Sequence, residues 1–215
     1  MLIEMHIDLI CPWCLIGKRR LDRALAGRPG LMIDLAFQPF QLNPDMPPGG
    51  MERPRYMSMK FGGAARAAQV YQMIEQAAAR EGLSIRFDRI ARTPNTVDAH
   101  RLVRLADDRG CAAAMVEALF TAYFLEGRDI GDRSVLAEIG AAVTGGAPDR
   151  IRTHLESEAE VAAVRAADRQ SRTLGIQAVP YFVFNRRYGL AGAQEVETFG
   201  PFLDLAALDQ GPHAA

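Results

Sequence analysis

Two cysteines separated by two residues, Cys11-Pro12-Trp13-Cys14, are the side chains of this sequence best suited to chemistry. A disulfide exchanger needs one thiol that ionises near neutral pH and a second close enough to release the mixed disulfide that the first forms. A spacing of two residues meets both needs if a helix begins inside the motif. Pro12 then lies in the first helical turn, where its missing N–H costs nothing, and Cys11 faces the positive end of the helix dipole. Such a position lowers a thiol pKa from ~8.5 into the range ~3.5–7.5. Cys11 is therefore the attacking sulfur and Cys14, one turn further in, the resolving one. Trp13, between them, suits a specificity contact and a lid over that turn.

The other candidate groups carry weaker signals. C-x-x-C is also half of many zinc knuckles, but Cys111, His6, His100, His154 and His213 offer no second close pair, so no metal is expected. Cys111, after Gly110 at a helix start, reads as a small buried hydrophobe. His100, beside Arg101 on a helix, reads as a solvated or core-edge residue. His6 and Asp8 project from one face of the first strand, opposite Ile7. Asp8 precedes Cys11 by three positions, where a carboxylate suits proton transfer, but a polar face at a sheet edge explains it equally. Neither is assigned a catalytic role.

The elements that must hold the motif follow from periodicity. Ile3, Met5, Ile7 and Leu9 alternate with Glu4, His6 and Asp8, the pattern of a strand over Leu2 to Leu9. Ile16, Leu21, Leu25 and Ala26 recur at helical spacing until Pro29-Gly30, and Leu31 to Phe37 reads as a second strand, completing βαβ. A Pro-, Gly- and Asn-rich stretch, Gln41 to Met51, marks a boundary. Helical faces follow at Val70 to Ala78, at Ala99 to Ala106 after an Asn95/Thr96 cap, at Met115 to Tyr123, and at Val135 to Val143 before Gly145-Gly146. Ser157 with Glu160 forms a capping-box pattern that opens a helix ending at Gly175. Tyr181 to Phe184 and Tyr188 to Ala191 read as a hairpin around Asn185-Arg186-Arg187. A last helix begins near Gln194 and is expected to break at Gly200-Pro201.

Composition sets the class. With 49% hydrophobic and 24% charged residues the chain resembles a folded globule, and a net charge of −1 gives no general attraction to phosphate or anionic lipid. Neither nucleic acid nor a membrane is an expected partner. Leu9 to Gly17 is short, contains both cysteines and follows Glu4 and Asp8, which is unlike a signal segment. Three cysteines without such a signal point to a reducing, cytoplasmic compartment.

The order of strand, Cys11-Pro12-Trp13-Cys14, Ile16-Gly17-Lys18, long helical insert, Gly175 to Phe184 and Gly192-Ala193-Gln194 resembles the DsbA-like oxidoreductases of the thioredoxin superfamily, the FrnE-like dithiol-disulfide isomerase group in particular. Asn95 to Leu102 and Ala122 to Gly131 look like that group's insert signatures. The resemblance implies an α/β, thioredoxin-like fold with a helical domain inserted between the βαβ and ββα units. Residues 1–53 and 157–210 would form the thioredoxin-like domain, 54–156 the insert and 211–215 a flexible tail. It also implies a cis Pro180 across from Cys11, with the Val179 main chain pairing to an extended substrate. Pro12, Trp13 and Pro180 would support the dithiol. No bound cofactor is implied beyond the Cys11-Cys14 disulfide, with glutathione a candidate co-substrate and thiol- or disulfide-containing proteins or small molecules the partners. Leu9-Ile10 departs from the polar residue common ahead of the first cysteine, and Leu15 from a common aromatic. Kappa-class glutathione transferases and hydroxychromene-carboxylate isomerases share the inserted architecture and are the alternative among enzymes, but they typically carry a serine rather than a resolving cysteine, and Cys14 is retained here. A peptide-holding, chaperone-like module is the alternative from another class.

Overall fold

Ile3, Met5 and Ile7 are fully buried, and the strand they belong to, β1 (Leu2–Ile7), is hydrogen-bonded on both sides. The computed structural model describes residues 1–209. β2 (Asp34–Pro39) runs parallel to β1, and β5 (Tyr181–Phe184) runs antiparallel to it, with Met5 opposite Phe182. β6 (Tyr188–Ala191) pairs with β5, giving the sheet order β2-β1-β5-β6. The helices α1 (Pro12–Ala26) and α9 (Val196–Leu208) pack against each other, and Phe199 of α9 meets Phe182 edge to face at 5.0 Å between ring centroids. The opposite sheet face carries α8 (Val161–Thr173), where Ser171 Oγ lies 2.8 Å from His6 Nδ1. This is a thioredoxin-like arrangement, with a helical segment entering between β2 and α8.

That segment contains β3 (Met51–Glu52) paired with β4 (Arg92–Thr93), and between them α2 (Arg53–Phe61) and α3 (Ala64–Arg80). It continues through α4 (Val97–Asp107), α5 (Ala112–Phe120) with a π-helical extension at Thr121–Glu126, α6 (Arg133–Thr144) and α7 (Pro148–Glu156). Buried arginines join these pieces because one guanidinium can satisfy several acceptors at once. Arg53 donates to the Tyr71 and Tyr123 hydroxyls, at 2.9 and 3.0 Å. Arg101 donates to the carbonyls of His154, Leu155, Ser157 and Ala159 and to Asp98, so that one side chain of α4 holds the whole α7–α8 connection. Arg20 of α1 reaches Glu81 beyond α3 and the Ala193 carbonyl after β6.

Several boundaries differ from those read in the sequence. β1 stops at Ile7 because the Asp8 carbonyl accepts the Cys11 amide in a turn. β2 begins at Asp34 instead of Leu31: its ladder to β1 starts at the Leu2–Asp34 pair, and Met32 binds the chain's N-terminal ammonium through its carbonyl. Pro148 opens α7, a helix the periodicity did not mark. Ser157 closes that helix instead of capping the next, its hydroxyl donating to the His154 carbonyl at 2.7 Å. α8 then starts after Glu160, whose φ is 62°. No break occurs at Gly200-Pro201. α9 continues through it, its buried Phe199, Leu203 and Ala206 anchoring both halves. The expected tail at 211–215 lies outside the described residues.

Arg101→Ala leaves four carbonyls without this donor and Asp98 with Arg133 alone, and a loss of ~3–5 kcal/mol in urea unfolding is expected. A second expectation concerns pH. Burial lowers the His6 pKa from 6.5 to about 4. The unfolded chain therefore binds this proton before the folded one does, and His6 contributes a loss of stability as pH falls from about 6.5 to about 4. His100 acts in the same direction and Asp8 in the opposite one. Comparing His6→Gln with the parent isolates the His6 share: the variant's unfolding midpoint should depend less on pH in this window, by up to about 3 kcal/mol.

Candidate active site

Cys11 is the N-cap of α1, with extended backbone angles (φ −92°, ψ 110°) and Pro12 at the first helical position. Its amide bonds the Asp8 carbonyl at 3.0 Å, and its own carbonyl accepts the Cys14 amide at 3.0 Å. Both cysteines are thus placed by backbone, and both are free thiols. The open N–H groups of the first turn of α1 favour negative charge at this end, and no acidic residue of that turn opposes it. Trp13 is the exposed member of the motif, at 36%. Across the cleft, Cys11 Sγ donates to the Val179 carbonyl at 3.5 Å, and the Val179–Pro180 peptide bond is cis. Gly17 makes the approach possible: a Cβ there would lie 2.8 Å from Pro180 Cγ. The Cys11-Pro12-Trp13-Cys14 segment and the sequence-distant Val179-Pro180 are therefore brought together, with the Cys11 sulfur against the Val179 carbonyl.

Cys14 sits behind it, fully buried. Burial pushes its thiol well above the ordinary range, and the neighbouring Cys11 sulfur and the Asp8 charge add to this, while a backbone hydrogen bond from Asp8 works against them. A thiol in this environment stays protonated until a base relieves it.

Asp8 is the nearby carboxyl. It is completely buried, not part of a polar sheet edge, and it follows the strand instead of lying in it. Its Oδ2 accepts the Leu42 amide at 2.7 Å and its Oδ1 the Ile10 amide at 3.5 Å. The Thr96 hydroxyl adds a further bond. Burial nonetheless raises the Asp8 pKa to about 6, outweighing these bonds and the charge of Lys60. His100 was expected at the solvated or core edge; it is 1% exposed, with Nε2 3.8 Å from Asp8 Oδ1. Asn95 Oδ1 accepts the Val97 amide, fixing the turn that brings Thr96 and His100 to this position. Asp8 is thus beside the dithiol and His100 beside Asp8; the three-residue step from Asp8 to Cys11 and the family resemblance of Asn95 to Leu102 around His100 were the hints in the sequence.

The remaining candidates lie elsewhere. His6 bonds Ser171, and Cys111 caps α5 with Sγ 3.4 Å from the Ala106 carbonyl. Among the described residues no three His, Cys, Asp or Glu side chains gather as a metal site, and no helix is long and apolar enough to cross a membrane. Next to Leu42, whose amide binds Asp8, a cleft of about 440 Å³ is lined by Met46, Met51, Met59, Tyr56 and Lys60.

Comparison with known proteins agrees with this geometry. A probable DsbA oxidoreductase from Streptomyces coelicolor is 32% identical, with a TM-score of 0.87 covering 100% of this chain and 93% of its own. Two others share the fold at lower identity. The cytosolic disulfide reductase DsbM from Pseudomonas aeruginosa, solved with GSH, is 23% identical with a TM-score of 0.64, over 98% of both chains. A 2-hydroxychromene-2-carboxylate isomerase is 12% identical with a TM-score of 0.74, over 100% of both chains. Among curated proteins, YwbO of Bacillus subtilis is 23% identical over 141 residues, 66% of this chain and 65% of that protein, so the match spans just under two thirds of that relative's length. The profile of the DSBA-like thioredoxin domain matches residues 2–204, and the chain belongs to that family.

Proposed function

We propose that this protein is a thiol-disulfide oxidoreductase of the FrnE-like kind that exchanges and isomerises disulfides, with Cys11 attacking and Cys14 resolving. The observation that carries this reading is Cys11 at the N-cap of α1 with its sulfur against the Val179 carbonyl and Cys14 buried behind it. In the reducing direction the Cys11 thiolate attacks one sulfur of a substrate disulfide, whose other sulfur leaves as a thiolate. Cys14 then gives up its proton and attacks Cys11 Sγ. The bond to substrate breaks, the Cys11-Cys14 disulfide forms, and two electrons pass to the substrate. Oxidation is the reverse. If a substrate thiol attacks the mixed disulfide in place of Cys14, the net result is isomerisation.

The Val179 carbonyl accepts the Cys11 S–H in the reduced protein. Once Cys11 is in a mixed disulfide that hydrogen is gone, and the carbonyl becomes available to an N–H of a bound extended chain. Flexible Met46, Met51 and Met59, in the cleft next to Leu42, suit varied apolar side chains. Glutathione is a fitting co-substrate to reset the dithiol in a cytoplasmic setting, since a DsbM structure of this fold was solved with it. Retention of both Cys11 and Cys14 argues against a kappa-class-like transferase, and a holding activity that outlives a Cys11→Ser/Cys14→Ser double variant would argue for a chaperone-like module.

Cys11→Ser is expected to abolish turnover of a scrambled-disulfide substrate, and Cys14→Ser to accumulate its mixed disulfide. In the reduced parent, Cys11 should be alkylated at least about tenfold faster than Cys14 or Cys111, and comparable rates for all three would defeat the assignment. Gly17→Ala tests the cleft. Its methyl must displace Pro180 and with it Val179, so turnover should slow and stability fall by about 1–3 kcal/mol while the alkylation rate of Cys11 changes little.

A further inference from the structure

Buried polar atoms almost always have partners, and His100 Nε2 has none. With the ring hydrogen on the nitrogen that faces the Phe40 carbonyl, the unpartnered Nε2 is a bare acceptor. It is directed at Asp8 Oδ1, 3.8 Å away, and both side chains are 1% exposed. The surroundings offer little competition. Asp8 is faced by the Leu42 and Ile10 amides, the Thr96 hydroxyl, the Cys14 thiol and the more distant charge of Lys60. On the His100 side stands Asp168 of α8, already paired with Arg172 at 3.1 Å and with the Gln41 amide at 2.7 Å. A small approach of the two rings of contacts would place a hydrogen between Oδ1 and Nε2.

We propose that His100 is a positioning residue of the exchange reaction: its Nε2 accepts the hydrogen of protonated Asp8, and the pair holds the proton that Cys14 gives up when it attacks the mixed disulfide. This rests on the thiol exchange proposed above. The proton passes from Cys14 Sγ to the Asp8 carboxylate, the Cys14 electron pair forms the bond to Cys11 Sγ, and the substrate sulfur departs with the electrons of the broken bond. In the oxidising direction the same proton returns to Cys14 as it leaves. At neutral pH the carboxyl, at about 6, stands ready to receive, and the imidazole, at about 4, remains a neutral acceptor. The insert thereby contributes, through α4, to chemistry carried out at the end of β1.

The test uses the intact reduced protein, with ¹⁵N-histidine and carboxyl-¹³C aspartate, followed by NMR from acid to neutral pH. His100 Nε2 and the Asp8 carboxyl carbon should move with one common midpoint, and Asp8→Asn should remove that step from His100. A His100 Nε2 signal that stays fixed while Asp8 titrates overturns the proposal, whether or not any variant folds. A kinetic arm uses single-turnover release of a mixed disulfide. His100→Gln should slow the Cys14 step about tenfold, the order of one buried hydrogen bond, and shift its pH midpoint, with the initial attack by Cys11 unchanged. The Asp8→Asn/His100→Gln double variant should be no slower than Asp8→Asn alone. Multiplicative losses, or equal slowing of both steps, would count against the pair. Failure of the parent to exchange disulfides would sink the functional reading instead, and the shared NMR midpoint would still stand or fall separately.

Discussion

The hydrogen bond from the Cys11 amide to the Asp8 carbonyl, 3.0 Å long, is the contact on which the site depends. It turns the chain out of a central strand and into a helix within three residues. Because β1 is paired on both edges, its end is fixed in space, and a turn this short transmits that rigidity to the first residue of α1. The Cys11 sulfur is thereby set at a helix N-terminus, while the side chain of Asp8 is driven inward. One backbone bond thus decides the position of the Cys11 sulfur and of the carboxylate near Cys14.

The helical insert is held to this frame by cations that the interior could not tolerate unpaired. Removing a charged group from water costs several kcal/mol unless its donors are satisfied, so Arg20, Arg53 and Arg101 are useful only where several acceptors converge. Arg101 meets that condition with four carbonyls from the α7–α8 connection. Those carbonyls in turn fix α4, and α4 carries Thr96 and His100 to the Asp8 carboxyl. The ion pairs distant from the dithiol are in this way part of how it is placed.

The strand β1, the dithiol helix and the β5–β6 hairpin were legible because each is a local pattern: alternation, a motif with its own helix start, and a turn between two apolar runs. The fold class followed from the resemblance to the DsbA-like family that their order and motifs carry. The Asp8–His100 contact was not legible, because it joins positions 92 residues apart through a turn whose geometry depends on Asn95 accepting the Val97 amide. Local rules also competed. Ser157 satisfies a capping pattern facing forward, yet its hydroxyl finds the His154 carbonyl behind it. Pro201 is a helix breaker by itself, but burial of Phe199 and Leu203 against the sheet side outweighs it. In both cases tertiary packing overrode a preference that the sequence states correctly.

The opposite wall of the cleft imposes a different constraint. Cys11 and Val179 are 168 positions apart, and nothing local brings them together. Their contact exists only once β5 has joined β1, with His6 opposite Tyr181, and Gly17 has received Pro180. The register of that strand pair matters as much as its presence, since a slip of one residue would turn Tyr181 and Phe182 to the wrong faces and withdraw the Val179 carbonyl from the sulfur. Phe182 holds the register by packing on Phe199 of α9. The Cys11 sulfur is therefore supplied by the first dozen residues, but the wall it faces is a property of the completed sheet.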